Sequence, residues 1–166
     1  SSICRALNND QLQIIYGSYL GTGNINFTRK IKRYKITCLH ECSDYCKWKM
    51  NKFYLNINTI KYTKNEYCSF TTNLFDLTNQ FHKSDTIIPE WLIENITPAG
   101  IAIWYMDSGY INSSINENYI ILHSKKFGLN MKSLLINKFL SYDINCMIHS
   151  YNKNIDDSTR KNNDCY

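Results

Sequence analysis

The chain has 166 residues and a formal net charge of +5, and 43% of its residues are hydrophobic while 20% are charged. This composition is that of an ordinary folded protein and excludes an intrinsically disordered chain. No apolar stretch approaches the roughly 20 residues that a membrane-spanning helix needs, so we expect no membrane partner.

The first half of the chain predicts the order helix, two strands, helix, two strands, helix. Asn9 and Asp10 offer capping side chains ahead of a helical pattern of apolar residues that ends at Gly21. Two pairs of segments then show the residue patterns of strands, and the first pair is predicted to form a hairpin. The predicted helices cover residues 11–21, 41–51 and 74–82, and the predicted strands cover residues 24–27, 31–39, 53–60 and 67–71.

The second half repeats this order after a connector that includes the Ile88-Pro89 step. Thr97 supplies an N-cap and Pro98 a first-turn proline, so a helix start is predicted there. Residues 152–166 are polar, which predicts a flexible tail and leaves the second copy without its last strand and helix. The predicted elements are a helix over residues 99–107, a strand over 119–123, an amphipathic helix over 130–140 and a strand over 144–149.

The seven cysteines are an odd number without a compact framework, which indicates a reducing compartment. Cys38, Cys42 and Cys46 recur every fourth residue with His40 between them, so a zinc site has to be considered. The paired two-residue gaps of many zinc sites are absent, and we interpret the three cysteines as small buried side chains on one helical stripe. We therefore predict no metal and no cofactor.

Each copy of the repeat opens with a similar segment. The first is IYGSYLGTG at residues 15–23, and the second is IAIWYMDSG at residues 101–109. Both resemble the motif of the LAGLIDADG homing endonuclease family. The longer string ITPAGIAIWYMDSG at residues 96–109 is similar to the start of the second repeat in single-chain members of that family. The resemblance covers residues 11–150.

The resemblance implies an α+β LAGLIDADG homing-endonuclease fold with two pseudo-symmetric repeats of the type αββαββα, the second of them truncated. The two motif helices would pack side by side, and each would be followed by a saddle-shaped antiparallel sheet that lies over nucleic acid. The expected division of the chain is a first repeat at residues 1–85, a connector at 86–96, a shortened second repeat at 97–150 and a polar tail at 151–166.

Small residues agree with close packing of the two motif helices. Gly17 and Gly21 are four residues apart, so one face of the first helix is bare enough for another backbone to approach. Ala99 and Ala102 are expected to provide the matching small surface. The alternative is that the glycines only fit local turns or packing.

Both catalytic positions of the motifs are altered. The resemblance implies an acidic residue at the penultimate position of each motif, where two acids hold divalent metal beside the phosphates, but Thr22 and Ser108 stand here. Mg²⁺ takes hard oxygen ligands, and hydrolysis of a phosphodiester needs that ion to activate water. Asp107 precedes Ser108, yet one helical residue turns a side chain by about 100°. We therefore expect no metal binding and no enzyme activity.

Residues that neutralise phosphates or form hydrogen bonds concentrate in the first repeat, which predicts a nucleic-acid-binding surface. Tyr34, Tyr54, Tyr62 and Tyr67 add rings that can stack on unpaired bases, and this favours structured RNA over a plain duplex. The alternatives are a solvated charged face and aromatic residues of the core or surface. The predicted contact residues are Asn24, Asn26, Arg29, Lys30, Arg33, Lys35, Thr37, Lys61, Lys64, Tyr67 and Ser69.

The expected function is a non-catalytic RNA-binding protein that descends from a homing endonuclease. It would be a structural component of an organellar ribonucleoprotein such as the mitochondrial ribosome, with ribosomal or intron RNA and neighbouring proteins as partners. The chain is rich in Asn, Ile, Lys and Tyr, whose codons are A/T-rich, so we expect an organellar gene and the mitochondrial matrix. The alternatives are an intron maturase that assists splicing and a degenerate DNA-binding endonuclease with residual activity.

Overall fold

The computed structural model describes residues 7–28, 33–40, 42–53, 57–62, 68–73, 88–113, 118–123 and 131–148. Within these residues, the order of elements at the start of the chain returns in shortened form in the second half. The elements are α1 (Asn9–Leu20), β1 (Asn24–Thr28), β2 (Arg33–His40), α2 (Ser43–Lys52), β3 (Ile57–Tyr62), β4 (Cys68–Asn73), α3 (Glu90–Asn95), α4 (Pro98–Ser108), β5 (Gly109–Ser113), β6 (Asn118–Leu122) and α5 (Lys132–Leu140).

Helix α1 begins at Asn9 because Asn8 caps it. The Asn8 side chain accepts a hydrogen bond from the Gln11 backbone N–H at 2.9 Å, and the Gln11 side chain accepts one from the Asn8 backbone N–H at 3.0 Å. This reciprocal cap satisfies two backbone donors, and it lies one residue earlier than the sequence predicts. Residues 13–20 are all buried, so protein surrounds α1 on every side.

The first sheet is antiparallel and has the strand order β1-β2-β4-β3. Its pairing confirms the predicted hairpin of β1 and β2 and shows that the second predicted pair of strands, β3 and β4, is also antiparallel. Helix α2 packs against β2 and β4. Strand β3 begins at Ile57, later than the predicted start at Phe53, because Phe53 is the buried C-cap residue of α2.

The described part of the second copy contains one hairpin, in which β5 pairs antiparallel with β6. Strand β5 is absent from the sequence prediction, since it follows α4 without an intervening loop. The predicted strand over residues 144–149 is wrong for its described part, because residues 144–148 have no regular structure. Alternating Cys146 and Ile148 instead pack against the core, and among the described residues no strand pairs with this segment.

The connector is part of the core. It contains α3, whose Leu92 and Ile93 are fully buried, and α3 packs against α5. Further core residues come from α1, α4 and α5, and the rings of Trp104 and Phe139 meet edge to face at 6.4 Å. The four helices α1, α3, α4 and α5 therefore form one apolar centre that joins both repeats.

Two predicted segments, the helix over residues 74–82 and the polar tail, lie outside the described residues. The prediction that Cys38, Cys42 and Cys46 form one helical stripe is wrong. Cys38 lies in β2, Cys42 precedes α2, and Cys46 is the one of these three cysteines that lies within α2. None of the helices described above is long and apolar enough to span a bilayer.

Candidate nucleic-acid interface and motif helices

Helices α1 and α4 approach each other closely at Gly17 and Gly21. A Cβ atom built on Gly17 would collide with the carbonyl oxygen of Gly100 and lie 2.7 Å from the Cβ of Ile103. A Cβ atom built on Gly21 would lie 2.6 Å from the Cβ of Asp107. Gly17 and Gly21 thus lie at the helix contact, as the sequence predicts, and the contact requires that both lack a side chain.

The prediction that Ala99 and Ala102 provide the matching small surface of α4 is wrong. Both are exposed, and the small residue of α4 that faces α1 is Gly100. Gly100 and Ile103 are three residues apart and lie on one face of the helix, whereas Ala99 and Ala102 lie on the next face round. The sequence prediction therefore places the contacting face of α4 one residue too early, which corresponds to a rotation of the helix by about 100° about its axis.

The N-terminus of α4 is attached to α1 by Gln13. The buried Gln13 side chain donates from Nε2 to the carbonyl oxygen of Asn95 at 3.0 Å, and its Oε1 accepts from the backbone N–H of Thr97 at 2.8 Å. Thr97 is the N-cap residue that the sequence predicts, but its own side chain makes no capping hydrogen bond. A side chain from the other repeat takes part in the start of this helix instead.

The C-terminal ends of the motif helices place their polar residues differently. Thr22 is exposed, and Ser108 is half-buried and donates from Oγ to the carbonyl oxygen of His123 at 2.9 Å. Trp104 donates from Nε1 to the same oxygen at 2.9 Å. The Ser108 hydroxyl is thus bonded to the backbone immediately after β6.

Asp107 faces α1 and forms a buried ion pair with Lys49 of α2. The Lys49 ammonium lies 2.5 Å from Asp107 Oδ1 and donates to Ser18 Oγ at 2.9 Å. The same ammonium lies 4.4 Å from the centre of the Tyr45 ring. Both charged side chains are essentially inaccessible to solvent, and Asp107 Oδ2 has no hydrogen-bond partner among the described residues.

The sequence analysis missed Lys49 and Ser18. A signal for Lys49 exists in the spacing of α2, because the buried Cys46 and Lys49 and the buried C-cap residue Phe53 follow each other at helical intervals. A lysine on such a stripe needs a buried partner of opposite charge. That partner comes from the second repeat, so local pattern alone does not identify it.

The pairing register brings seven predicted contact residues to one face of the first sheet. Residues directly opposite each other in an antiparallel pair share a face, and residues two apart along a strand do so too. Asn24 pairs with Thr37, Asn26 with Lys35, and Lys61 with Ser69, while Leu39 of β2 also pairs with Ser69. The seven residues at positions of this polar face are Asn24, Asn26, Arg33, Lys35, Thr37, Lys61 and Ser69.

The other predicted residues are not gathered there. Tyr34 and Tyr62 occupy positions of the opposite sheet face, because they alternate with Arg33 and Lys61 along their strands. The remaining predicted residues lie outside the described ranges: Arg29, Lys30, Tyr54, Lys64 and Tyr67.

The sequence profile of the LAGLIDADG DNA endonuclease family matches residues 12–156, most of the chain. The chain belongs to this family. No significant match is found among curated protein sequences.

Solved structures of LAGLIDADG proteins have a similar fold. The homing endonuclease I-WcaI, bound to its DNA recognition sequence, is matched with a TM-score of 0.69 and 22% identity over 90% of this chain and 74% of that protein. The N-terminal LAGLIDADG domain of DUF199/WhiA is matched with a TM-score of 0.56 and 11% identity, also over 90% of this chain and 74% of that domain. These matches show the LAGLIDADG fold.

The residues at the LAGLIDADG helix ends do not fit the divalent metal that the family implies. Thr22 and Ser108 offer neutral hydroxyls, and the Ser108 hydroxyl is bonded to a backbone carbonyl. The adjacent carboxylate, Asp107, is already neutralised by Lys49. A hard divalent ion needs anionic oxygen ligands, and a buried ammonium nearby repels it. Among the described residues, no group of three or more His, Cys, Asp or Glu side chains is placed to hold a metal.

Proposed function

We propose that this LAGLIDADG protein binds nucleic acid without hydrolysing it. The observation that carries the proposal is the buried pair of Lys49 and Asp107, because the carboxylate next to Ser108 in the chain already has a cation. With hydroxyls at Thr22 and Ser108, the helix ends supply no anionic ligands for the ion that activates water. The fold of the family is retained while the chemistry of the site is lost.

Binding is supported by the polar face of the first sheet. Arg33, Lys35 and Lys61 lie at positions of this face, and the four strands contain no acidic residue. Basic residues on a surface of this kind neutralise phosphates and release counterions, so binding weakens as salt rises. The amide and hydroxyl residues between them supply hydrogen bonds to sugars, phosphates or base edges.

The proposed ligand is structured RNA, either ribosomal or intron RNA, within an organellar ribonucleoprotein such as the mitochondrial ribosome. A LAGLIDADG protein without the carboxylates of the cutting site is suited to a structural role in an assembly, where binding alone is required. The A/T-rich codon usage implied by the composition supports the mitochondrial matrix as its location.

The decisive experiment measures binding and cleavage with the same purified chain. RNA stem-loops and DNA duplexes are titrated at several salt concentrations, and each is incubated with Mg²⁺ and examined for nicks. We expect binding to RNA with a salt dependence and no cleavage of either substrate. Magnesium-dependent nicking of DNA would overturn the proposal and support the degenerate endonuclease instead.

Charge-removal variants locate the interface. Arg33→Ala and Lys35→Ala should each lower the slope of log affinity against log salt by about 1. Lys47→Ala is the matched control, because Lys47 is exposed on α2 and pairs there with Asp44. An equal effect at Lys47 would mean that net charge rather than the polar face determines binding.

Native extracts separate the possible assemblies. Sedimentation with ribosomal particles that is lost after ribonuclease treatment supports the ribosomal role. Recovery with unspliced intron RNA would identify a maturase, and sedimentation only as a small free species would contradict both.

A further inference from the structure

We propose that the β5–β6 hairpin carries a binding surface for unpaired nucleobases, formed by Tyr110, Tyr119 and His123. This inference rests on the proposed function and specifies which part of an RNA ligand the second repeat contacts. None of these three residues belongs to the surface predicted from the sequence.

The three rings lie on one face of the hairpin. Tyr110 pairs with Ile121 and Asn112 with Tyr119, so these four residues share a face, and His123 follows Ile121 by two residues. The rings of Tyr110 and His123 are stacked, with centres 5.4 Å apart and planes inclined by 24°. Asn112 donates from Nδ2 to the Tyr119 hydroxyl at 2.8 Å, which holds the second ring in place.

This aromatic face corresponds to the polar face of the first sheet. The two motif segments end at Gly23 and Gly109. When they are aligned, Tyr110 is equivalent in sequence to Asn24, and Asn112 is equivalent to Asn26. Asn24 and Asn26 occupy positions of the polar face in the first repeat. The equivalent face of the second repeat therefore carries rings where the first carries amide and basic residues.

The chemistry of the hairpin favours bases over phosphates. Strands β5 and β6 contain no Lys, Arg, Asp or Glu, so they offer phosphates no fixed positive charge. Tyr110 is 47% exposed and Tyr119 is 48% exposed, so both rings have surface available for contact. Every base has a flat π face that stacks on an aromatic ring, but only unpaired bases can leave the helix stack to do so.

The reverse face of the hairpin serves as the internal comparison. Ile111 and Ile120 pair with each other there and are 59% and 62% exposed. These side chains are apolar but have no ring, so they suit contact with a protein surface and not with a base. Substitutions on the two faces therefore distinguish the two kinds of partner.

The test compares an RNA stem-loop with an uninterrupted RNA duplex of the same stem. Tyr110→Ala and Tyr119→Ala should each lower stem-loop affinity by about fivefold to a hundredfold and leave duplex affinity unchanged. Tyr110→Phe should retain the affinity of the unsubstituted chain. Ile111→Ala is the control on the reverse face and should bind both RNAs normally. Tyr110→Ile removes the ring but keeps a strand-forming side chain, and circular dichroism checks that each variant is folded.

The outcomes separate this inference from the proposed function. If the unsubstituted chain binds the stem-loop but the tyrosine variants bind it equally well, the aromatic surface is refuted and the RNA-binding function stands. Equal loss on the duplex, or loss at Ile111 instead, also refutes base stacking, and the second result indicates a protein partner on the reverse face. If the chain binds neither RNA, both the function and this inference fail.

Discussion

Lys49 and Asp107 are 58 residues apart in the chain, belong to different repeats, and form a 2.5 Å ion pair inside the protein. Lys49 also binds Ser18, so this one ammonium joins α1, α2 and α4. A buried pair of this kind contributes little net stability compared with apolar residues of the same size. The loss of one partner, however, leaves the other charge buried and unpaired. The pair therefore makes the packing of the motif helices depend on both charges.

Substitution of Lys49 by Met should destabilise the protein by about 3–5 kcal/mol, because the Asp107 carboxylate would stay buried without a cation. The free energy of unfolding in urea measures this loss. Lys47→Met is the matched control, since the Lys47–Asp44 pair is on the surface, with side chains 49% and 87% exposed, and should cost less than about 1 kcal/mol.

Adding Asp107→Leu to Lys49→Met should recover part of the lost stability, because no unpaired charge then remains. A double variant that is less stable than Lys49→Met alone would show that the ion pair is not the origin of the loss. The lysine stem or the Asp107 backbone region would then account for it.

Gly17→Ala should destabilise the protein, although alanine is favoured over glycine by about 1 kcal/mol in an open helix. The new Cβ would meet the Gly100 backbone and Ile103, and the two helices have to separate to admit it. Overpacking of this kind costs about 1–3 kcal/mol. Ala102→Gly, at an exposed position of α4, should lose only about 1 kcal/mol from helix propensity. A melting temperature raised by Gly17→Ala would contradict the close contact of α1 and α4.

Gln13→Leu should lower stability by about 1–3 kcal/mol, because the Thr97 N–H and the Asn95 carbonyl lose their partner. Hydrogen exchange gives a local measurement. The Thr97 amide should exchange faster, while the Ile101 amide, which donates to the Thr97 carbonyl, should remain protected. Unchanged exchange at Thr97 would argue against the bridge between the repeats.

Burial raises the pKa of the Tyr16 hydroxyl above its ordinary value of 10.0. The folded state therefore favours the neutral phenol, and this contribution to stability is complete below the unfolded value and is lost as the pH rises through the folded pKa. The free energy of unfolding is measured as the pH rises from one unit below 10.0 to one unit above it. Over this range, the Tyr16→Phe variant should lose less stability than the unsubstituted chain. The ring that meets Trp91 edge to face at 5.7 Å is retained in this variant. Equal losses in both proteins would contradict the shift.

Sequence patterns predicted elements that have a clear period and missed those defined by distant contacts. The residue patterns of β1 and β2 predicted their hairpin, and its observed register places Asn24, Asn26, Lys35 and Thr37 at positions of one face. Helix α3 has only six residues and is defined by burial of Leu92 and Ile93, so the connector gave no helical signal. Residues 144–148 alternate as a strand does, but among the described residues no other strand pairs with them.

The candidate site was predictable where the motif fixes positions and not where the repeats meet. Thr22 and Ser108 follow from the motif alone. The pairing of Lys49 with Asp107 depends on how α2 of one repeat packs beside α4 of the other, which no local pattern contains. The one-residue rotation of α4 that places Gly100 and Ile103 at the contact, in place of Ala99 and Ala102, also requires the tertiary structure.

The two hairpins come directly after the motif helices at equivalent positions of the repeats but carry unlike residues, amide and basic positions in one and aromatic rings in the other. A palindromic nucleic acid offers the same groups to both halves of a protein. Such a ligand would match the residues of only one of these two hairpins. A ligand that touches both hairpins must therefore differ from end to end, and it can lie on the protein in only one direction.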